Sequence, residues 1–186
     1  MESYRVVLLE AVRGSTDDSA SPPEEDTCEP VGDHGVVYNH APLGYRCPFC
    51  RNLATGEADL PLQILHRDDS VFVKMNPKWA PRNPGAALVI PNRHYENVYD
   101  LPAELGSPIQ RAIRSTALAM KDAFGCDGVS TRQHNEPDGN QDVWHYHVHV
   151  VPRWNGDDLY AARSTLADPN DLRLKAALLR AAWPSR

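Results

Sequence analysis

The segment Val143-Trp-His-Tyr-His-Val-His-Val-Val-Pro-Arg153 decides how this chain is interpreted, because three histidines alternate in it with apolar and aromatic residues. A period of two is typical of a β-strand, so residues 143–151 are predicted to form one, with His145, His147 and His149 on one face. Three imidazoles without partners in a core would be costly, and the pattern therefore favours a functional role.

The three histidines are too far apart to bind one metal ion. A strand rises about 3.3 Å per residue, which separates the first and third by roughly 13 Å, whereas metal–nitrogen bonds are about 2 Å long. At most two neighbours can share a metal. We therefore expect different roles, with the middle residue, His147, presented as a nucleophile or a base.

The flanking sequence predicts an α+β domain with a meander-like antiparallel sheet of about five strands. Apolar runs predict four more strands, at residues 62–66, 71–75, 86–90 and 128–134. Helical spacing predicts one long helix over Ser107–Phe124, with Ser107 as its N-cap and Gly125 ending it. Asp168 is expected to cap a C-terminal helix that extends to about residue 182.

Composition excludes several classes of protein. The chain has 186 residues and a formal net charge of −6, which argues against a non-specific nucleic-acid binder. No apolar run approaches the roughly 18 to 20 residues that span a bilayer, and residues 1–10 do not resemble a signal peptide, so we expect a cytoplasmic protein without membrane contact. Residues 4–9 can form a strand, whereas residues 13–30 are polar enough to be disordered or loosely attached.

A second motif is Cys47-Pro-Phe-Cys50, which can offer two thiolates to tetrahedral zinc. The alternative is redox chemistry, which needs a preceding strand and a following helix; Gly56 is expected to interrupt such a helix. Zinc needs two more ligands, and the candidates are His94, just beyond the strand at 86–90, and His145.

These residues together resemble the histidine triad (HIT) family of nucleotide hydrolases and transferases. The segment His145-Tyr-His-Val-His-Val-Val fits the family signature of three histidines alternating with apolar residues, and Pro152-Arg153 follows as in many members. Leu88–His94, Asn135-Glu136 and Gln141 also match. The resemblance covers about residues 47–153 and predicts a catalytic domain at 45–155, between an N-terminal extension (1–44) and a C-terminal helical extension (156–186).

The resemblance implies a role for each matching residue. His147 would attack the α-phosphorus of a nucleotide conjugate, a phosphoramidate or a dinucleoside polyphosphate, and form a covalent nucleotidyl-histidine. His149 would hold the phosphate, Asn135 and Gln141 would line the phosphate loop, and Asn76 would contact the ribose. The family further implies a structural zinc on Cys47, Cys50, His94 and His145, a homodimer, and a purine base by family habit.

Two positions depart from the family pattern. Ala86 stands where many members have a histidine, and Asp142 stands at a nucleotide-binding position where members often have a hydroxyl residue. A carboxylate at that position would either repel phosphate or act as an acid. Three rivals to hydrolysis stay open: nucleotidyl transfer or phosphorolysis with a non-water acceptor, nucleotide sensing without catalysis, and metal-dependent hydrolysis at the histidine strand.

Overall fold

The computed structural model describes residues 38–55 and 63–184. The helices in these residues are α1 (Pro48–Thr55), α2 (Gly106–Phe124) and α3 (Pro169–Ala181), with a short 3₁₀ turn at Ala103–Leu105. The strands are β1 (Ile64–Arg67), β2 (Val71–Met75), β3 (Lys78–Trp79), β4 (Ala87–Pro91), β5 (Gly128–Gln133), β6 (Val148–Arg153) and β7 (Thr165–Leu166). The predicted strand at 4–9 and the polar segment at 13–30 lie outside the described residues. None of the described helices has the length and apolar character that crossing a membrane requires.

Five strands form one antiparallel sheet in the order β1-β2-β4-β6-β5. This arrangement, with its packed helices, confirms the predicted α+β class and strand number. The predicted meander-like order is wrong at one place, because β4 pairs with β6 and the long helix carries the chain past that position to the edge strand β5. The small sheet of β3 and β7 was not predicted from the sequence. In it Lys78 pairs with Leu166 and Trp79 pairs with Thr165, which ties the segment after β2 to the residues before α3.

The two faces of the five-stranded sheet have different partners. Alternate residues of β2, namely Val71, Val73 and Met75, join a large buried cluster that includes residues of α2 and α3. Phe72 points to the opposite face and packs in a smaller cluster with Cys47, Phe49, Leu88 and Ile90. Side chains alternate between the two faces along each strand. The side chains on the same face of the sheet as Phe72 therefore lie next to one another on neighbouring strands. The candidate site lies there.

Helix α2 begins earlier than predicted. The 3₁₀ turn leads directly into Gly106, and Leu105 takes the N-cap position without a side-chain hydrogen bond, so the prediction of Ser107 as N-cap is wrong. The backbone is already helical at Leu105, which places Ser107 inside the first turn. The predicted end is confirmed: Gly125 has a positive φ of 60°, a conformation that glycine adopts without strain.

Helix α3 completes the main core. The Asp168 carboxylate accepts hydrogen bonds from the backbone N–H groups of Asn170 and Asp171, which confirms the predicted cap. Leu172, Ala176 and Leu179 are buried in the same cluster as the sheet residues, and Leu159 belongs to this cluster too. The described part of the C-terminal segment is therefore packed against the domain that carries the histidines.

Strand β6 is shorter than predicted and starts at Val148, so placing all three histidines on one regular strand is wrong. His145 and His147 lie in an extended but irregular segment before it. The backbone N–H of His145 bonds to the carbonyl of Val143, and that of Tyr146 bonds to the carbonyl of Tyr95. These bonds bend the chain away from the sheet ladder.

Candidate active site and metal centre

Two cysteines and two histidines meet beside the sheet. Cys47 precedes α1, Cys50 lies in its first turn, His94 follows β4, and His145 sits at the bend before β6. Nδ1 of His145 lies 3.3 Å from Sγ of Cys47 and 3.7 Å from Sγ of Cys50, and Nδ1 of His94 lies 3.4 Å from Sγ of Cys50. All four donor atoms lie within 4.8 Å of one another, so the structure brings the predicted metal ligands together.

The donor geometry fits a tetrahedral zinc ion. Zinc holds sulfur at about 2.3 Å and nitrogen at about 2.0 Å, which separates donor atoms by about 3.3 to 3.8 Å. The three distances of 3.3, 3.4 and 3.7 Å fall in this range. Nε2 of His145 lies 3.1 Å from the carbonyl oxygen of Pro91, which can only accept, so the ring hydrogen is on Nε2 and Nδ1 keeps its lone pair for a metal.

The Cys47 thiol is electrostatically prepared for metal binding. Its pKa lies far below the ordinary value, chiefly because the Cys50 thiol donates a hydrogen bond to it, and also because His145 and His94 face it. The thiolate is the form that binds metals. A short helix, α1, does follow Cys47, and it ends at Thr55, directly before Gly56. The two imidazoles at the sulfur atoms favour a metal site over a redox pair.

His147 is held in one tautomer. Its side chain is buried, and its Nδ1 lies 2.7 Å from the carbonyl oxygen of His145. Because that oxygen only accepts, Nδ1 carries the hydrogen and Nε2 carries the lone pair. Burial lowers the pKa of His147 below its ordinary value, which keeps the ring neutral at neutral pH. A neutral imidazole with a lone pair on Nε2 is a competent nucleophile.

His149 is held in the opposite tautomer. Oδ1 of Asn76 accepts the backbone N–H of Lys78 at 3.1 Å, which turns Nδ2 toward Nδ1 of His149 at 3.4 Å. Nδ1 of His149 is therefore the acceptor, and Nε2 carries the hydrogen. Burial, aided by His147, lowers the pKa of His149 to about 3. With ring centroids 4.9 Å apart, the pair offers one Nε2 lone pair and one Nε2–H donor.

A cavity of about 340 Å³ opens beside these two rings. Four of the predicted residues line it, namely Asn76, Asp142, His147 and His149. This volume is in the range of small-ligand pockets. The arrangement can therefore place a small ligand against a neutral nucleophile and a neutral hydrogen-bond donor.

Several other lining residues were not predicted from the sequence to belong to the site, among them Phe49, Lys74, Arg132 and His134. Lys74 carried a signal, because it is a single charge in the otherwise apolar strand Val71-Phe-Val-Lys-Met75. It is buried, and its Nζ donates to Oδ1 of Asn52 at 3.0 Å. Arg132 carried no such signal, since only the pairing of β5 with β6 places it beside the histidines.

The comparison with known families agrees with this geometry. The HIT domain matches residues 57–156, just over half of the chain. The chain belongs to the HIT domain family. The matched residues include the three histidines, His94, Asn76 and the cavity-lining part of the sheet.

Several individual HIT proteins are similar to this chain in sequence or in structure. The chain is 34% identical over 131 residues to Protein hit of Bacillus subtilis, a match that spans 68% of this chain and 87% of that protein. A zinc-bound histidine triad family protein from Mycobacterium smegmatis is 31% identical, with a TM-score of 0.61 over 73% of this chain and 91% of that chain. Adenylylsulfatase HINT3 of Arabidopsis thaliana is 27% identical over 118 residues, which is 63% of this chain and 57% of that protein.

In this HIT domain two of the predicted nucleotide-binding residues do not line the cavity. Oε1 of Gln141 accepts the backbone N–H of Glu136 at 2.8 Å, and its Nε2 donates to the carbonyl of Glu96. Oδ1 of Asn135 accepts the backbone N–H of Val98 at 2.9 Å. Both side chains therefore fix the loop that precedes the histidines.

The two departures from the HIT pattern both face the cavity. Ala86 is buried in its wall, and Asp142 is exposed at its edge. A methyl group at position 86 leaves more space than an imidazole, while the carboxylate at 142 adds a negative charge. The lining also contains Lys74, Lys78 and Arg132, so cationic side chains outnumber anionic ones in a chain that is acidic as a whole.

Proposed function

We propose that this protein is a nucleotide hydrolase that cleaves nucleotide conjugates at the α-phosphate through a covalent nucleotidyl-His147. The observation that carries the proposal is the bond between Nδ1 of His147 and the carbonyl of His145, which leaves the Nε2 lone pair in the cavity. A HIT relative named as an adenylylsulfatase supports chemistry of this class.

In the first step the Nε2 lone pair of His147 forms a bond to the α-phosphorus. The bond from phosphorus to the leaving group breaks, and its electron pair departs with that group; an amine leaving group also takes up a proton from solvent. The ring becomes cationic, and its Nδ1–H stays bonded to the carbonyl of His145, which stabilises the charge. Water then attacks the phosphorus and loses a proton to solvent, the electron pair of the P–N bond returns to Nε2 of His147, and the nucleoside monophosphate leaves.

The neighbouring residues would bind the substrate. His149 would donate its Nε2–H to a phosphate oxygen, and Asn76, which already orients that ring, would contact the ribose. Asn135 and Gln141 would act as positioning residues through the loop that they hold. Asp142, at the cavity edge, would influence which leaving groups are accepted, through its negative charge.

Cys47, Cys50, His94 and His145 would hold a structural zinc ion, as their donor set and spacing suit that metal. Bound zinc supplies a rigid link between α1, the segment after β4 and the bend before the histidines. The proposal also includes a purine nucleotide and a homodimer, which the family resemblance implies, and a cytoplasmic location, which the sequence analysis predicts. Light scattering with size exclusion measures the oligomeric state.

The test is intact-mass spectrometry after rapid mixing with adenosine 5′-phosphoramidate. The native protein should show a transient adduct of one adenylyl group, followed by released AMP, and His147→Ala should show neither. His66→Ala is the matched histidine control, because His66 stacks on Trp183 away from the cavity. An adduct that discharges only onto an added acceptor would make the protein a transferase, and binding without adduct or AMP would make it a sensor.

A further inference from the structure

Four cavity-lining residues form a row across four neighbouring strands. Lys74 on β2 pairs with Leu88 on β4, Leu88 pairs with His149 on β6, and His149 pairs with Arg132 on β5. All four line the cavity. Neighbouring strands lie about 4.8 Å apart, so the backbones at the two ends of the row are separated by about 14 Å. The site therefore has a cation at each end, with His149 between them.

Arg132 carries hydrogen-bond donors that no group in the described part of the chain accepts. Its Nε and Nη2 atoms are buried and have no hydrogen-bond partner among the described residues. Its guanidinium lies over the ring of Tyr160, 4.5 Å from the centroid, and this contact holds it in place without neutralising its charge. Within residues 38–55 and 63–184, no carboxylate forms an ion pair with it.

Arg153, a neighbouring arginine on β6, gives the contrast. It also lies over Tyr160, at 5.1 Å, but its Nε and Nη2 donate to the two carboxylate oxygens of Asp157 at 2.6 and 2.7 Å. Arg153 is thus paired with a carboxylate of the protein, whereas Arg132 has buried donors without a partner among the described residues. Burying an arginine without a partner is unfavourable, so a bound anion is the natural complement of Arg132.

The two ends of the cavity suit different parts of a substrate. The ring of Phe49 lies 5.3 Å from that of His147, next to Pro48 and Leu88, and these side chains suit a flat base. Lys74 lies at the same end, with Nζ 5.8 Å from the centroid of the Phe49 ring, but that Nζ already donates to Asn52 inside the protein. Arg132 lies on the other side of His149, where the ring of His134 is 5.6 Å from that of His149. With phosphorus at His147, the base fits the Phe49 end, and the leaving group extends toward Arg132.

We propose that Arg132 binds an anionic leaving group, so that the preferred substrates are nucleotides joined at the α-phosphate to a phosphate or polyphosphate rather than to an amine. This proposal rests on the proposed function. As Nε2 of His147 forms its bond to phosphorus, the bond from phosphorus to the bridging oxygen breaks and the electron pair stays on that oxygen. The guanidinium stabilises the resulting negative charge, and no proton is needed.

The experiment compares two substrates that share an adenosine α-phosphate. Diadenosine triphosphate releases ADP, an anion, whereas adenosine 5′-phosphoramidate releases ammonia. Arg132→Gln should lower kcat/KM for diadenosine triphosphate by about tenfold or more and leave the phosphoramidate value within about twofold. Arg132→Lys should restore part of the loss. Arg114→Gln, an exposed charge change on α2, is the matched control and should alter neither value.

The ratio of the two kcat/KM values does not depend on the fraction of folded protein, so partial unfolding of a variant does not obscure the result. An equal loss on both substrates, or no loss on either, would overturn the role of Arg132. If the native protein turns over neither substrate, the proposed function fails. The role of Arg132 is then tested by measuring nucleotide binding. In a His147→Ala background, ADP should then bind more tightly than AMP, and Arg132→Gln should remove that difference; a difference that persists would refute the inference.

Discussion

Removing one ligand from the cysteine–histidine centre should release its zinc and lower the melting temperature of the protein. The perturbation is Cys50→Ser, since the Cys50 sulfur contacts both His94 and His145. The centre joins three distant parts of the chain, and this geometry exists only when they are folded together. Zinc should therefore bind the folded state far more tightly than the unfolded state.

The expected magnitude follows from mass action. A ligand present at 100 times its Kd stabilises the folded state by about 2.7 kcal/mol. For a domain of this size, 1 kcal/mol shifts the melting temperature by about 2 to 4 °C. Loss of zinc should therefore lower the melting temperature by about 5 to 11 °C under those conditions.

The assay combines metal content by plasma mass spectrometry with thermal melts at buffered free zinc. The native protein should carry one zinc per chain and lose stability with a chelator. Cys126→Ala is the control, because Cys126 is buried in the main core, outside the four-residue centre, and this variant should keep its zinc. A full zinc complement in Cys50→Ser, or a native melting temperature that a chelator does not change, would refute the reasoning.

Three further predictions test the core, the tautomers and the loop. Leu172→Ala should destabilise the protein by about 2 to 5 kcal/mol in denaturant melts, whereas the exposed Leu174→Ala should have little effect. Because the pKa of His149 is about 3, its ring should stay neutral with the hydrogen on Nε2 from pH 8 to pH 5; a midpoint near 6.5 in ¹⁵N NMR would contradict this. A Cβ at Gly139 would lie 1.9 Å from a backbone oxygen, so Gly139→Ala should lower kcat/KM and stability, whereas Gly106→Ala, where a Cβ meets no atom within 4 Å, should do neither.

The sheet was predictable because its signals are local. Apolar runs bounded by turns marked each strand, and the Asp168-Pro169 pair marked the start of α3. The β3–β7 sheet was missed, since strands of two residues at distant positions carry no periodicity. The start of α2 was missed because the 3₁₀ turn before it replaced the expected Ser107 cap.

The site was predictable where residue type alone limits the chemistry. Cysteines at a spacing of three and histidines near strand ends identified the four residues that the structure gathers. Strand alternation did not foresee the bend before β6, because the hydrogen bond between Tyr146 and Tyr95 is a tertiary contact. Arg132 was missed for a similar reason, since its position beside His149 depends on strand register.

The bend before β6 connects the metal centre with the proposed nucleophile through one residue. The imidazole of His145 faces the cysteines and donates to the carbonyl of Pro91, while its own carbonyl accepts the Nδ1–H of His147. A regular strand would direct that carbonyl into the sheet ladder, where it would bond to a backbone N–H group. The departure from regular structure therefore frees the acceptor that fixes the tautomer of His147. A metal held by the ring of His145 would thus act on the reaction only by keeping this carbonyl in place.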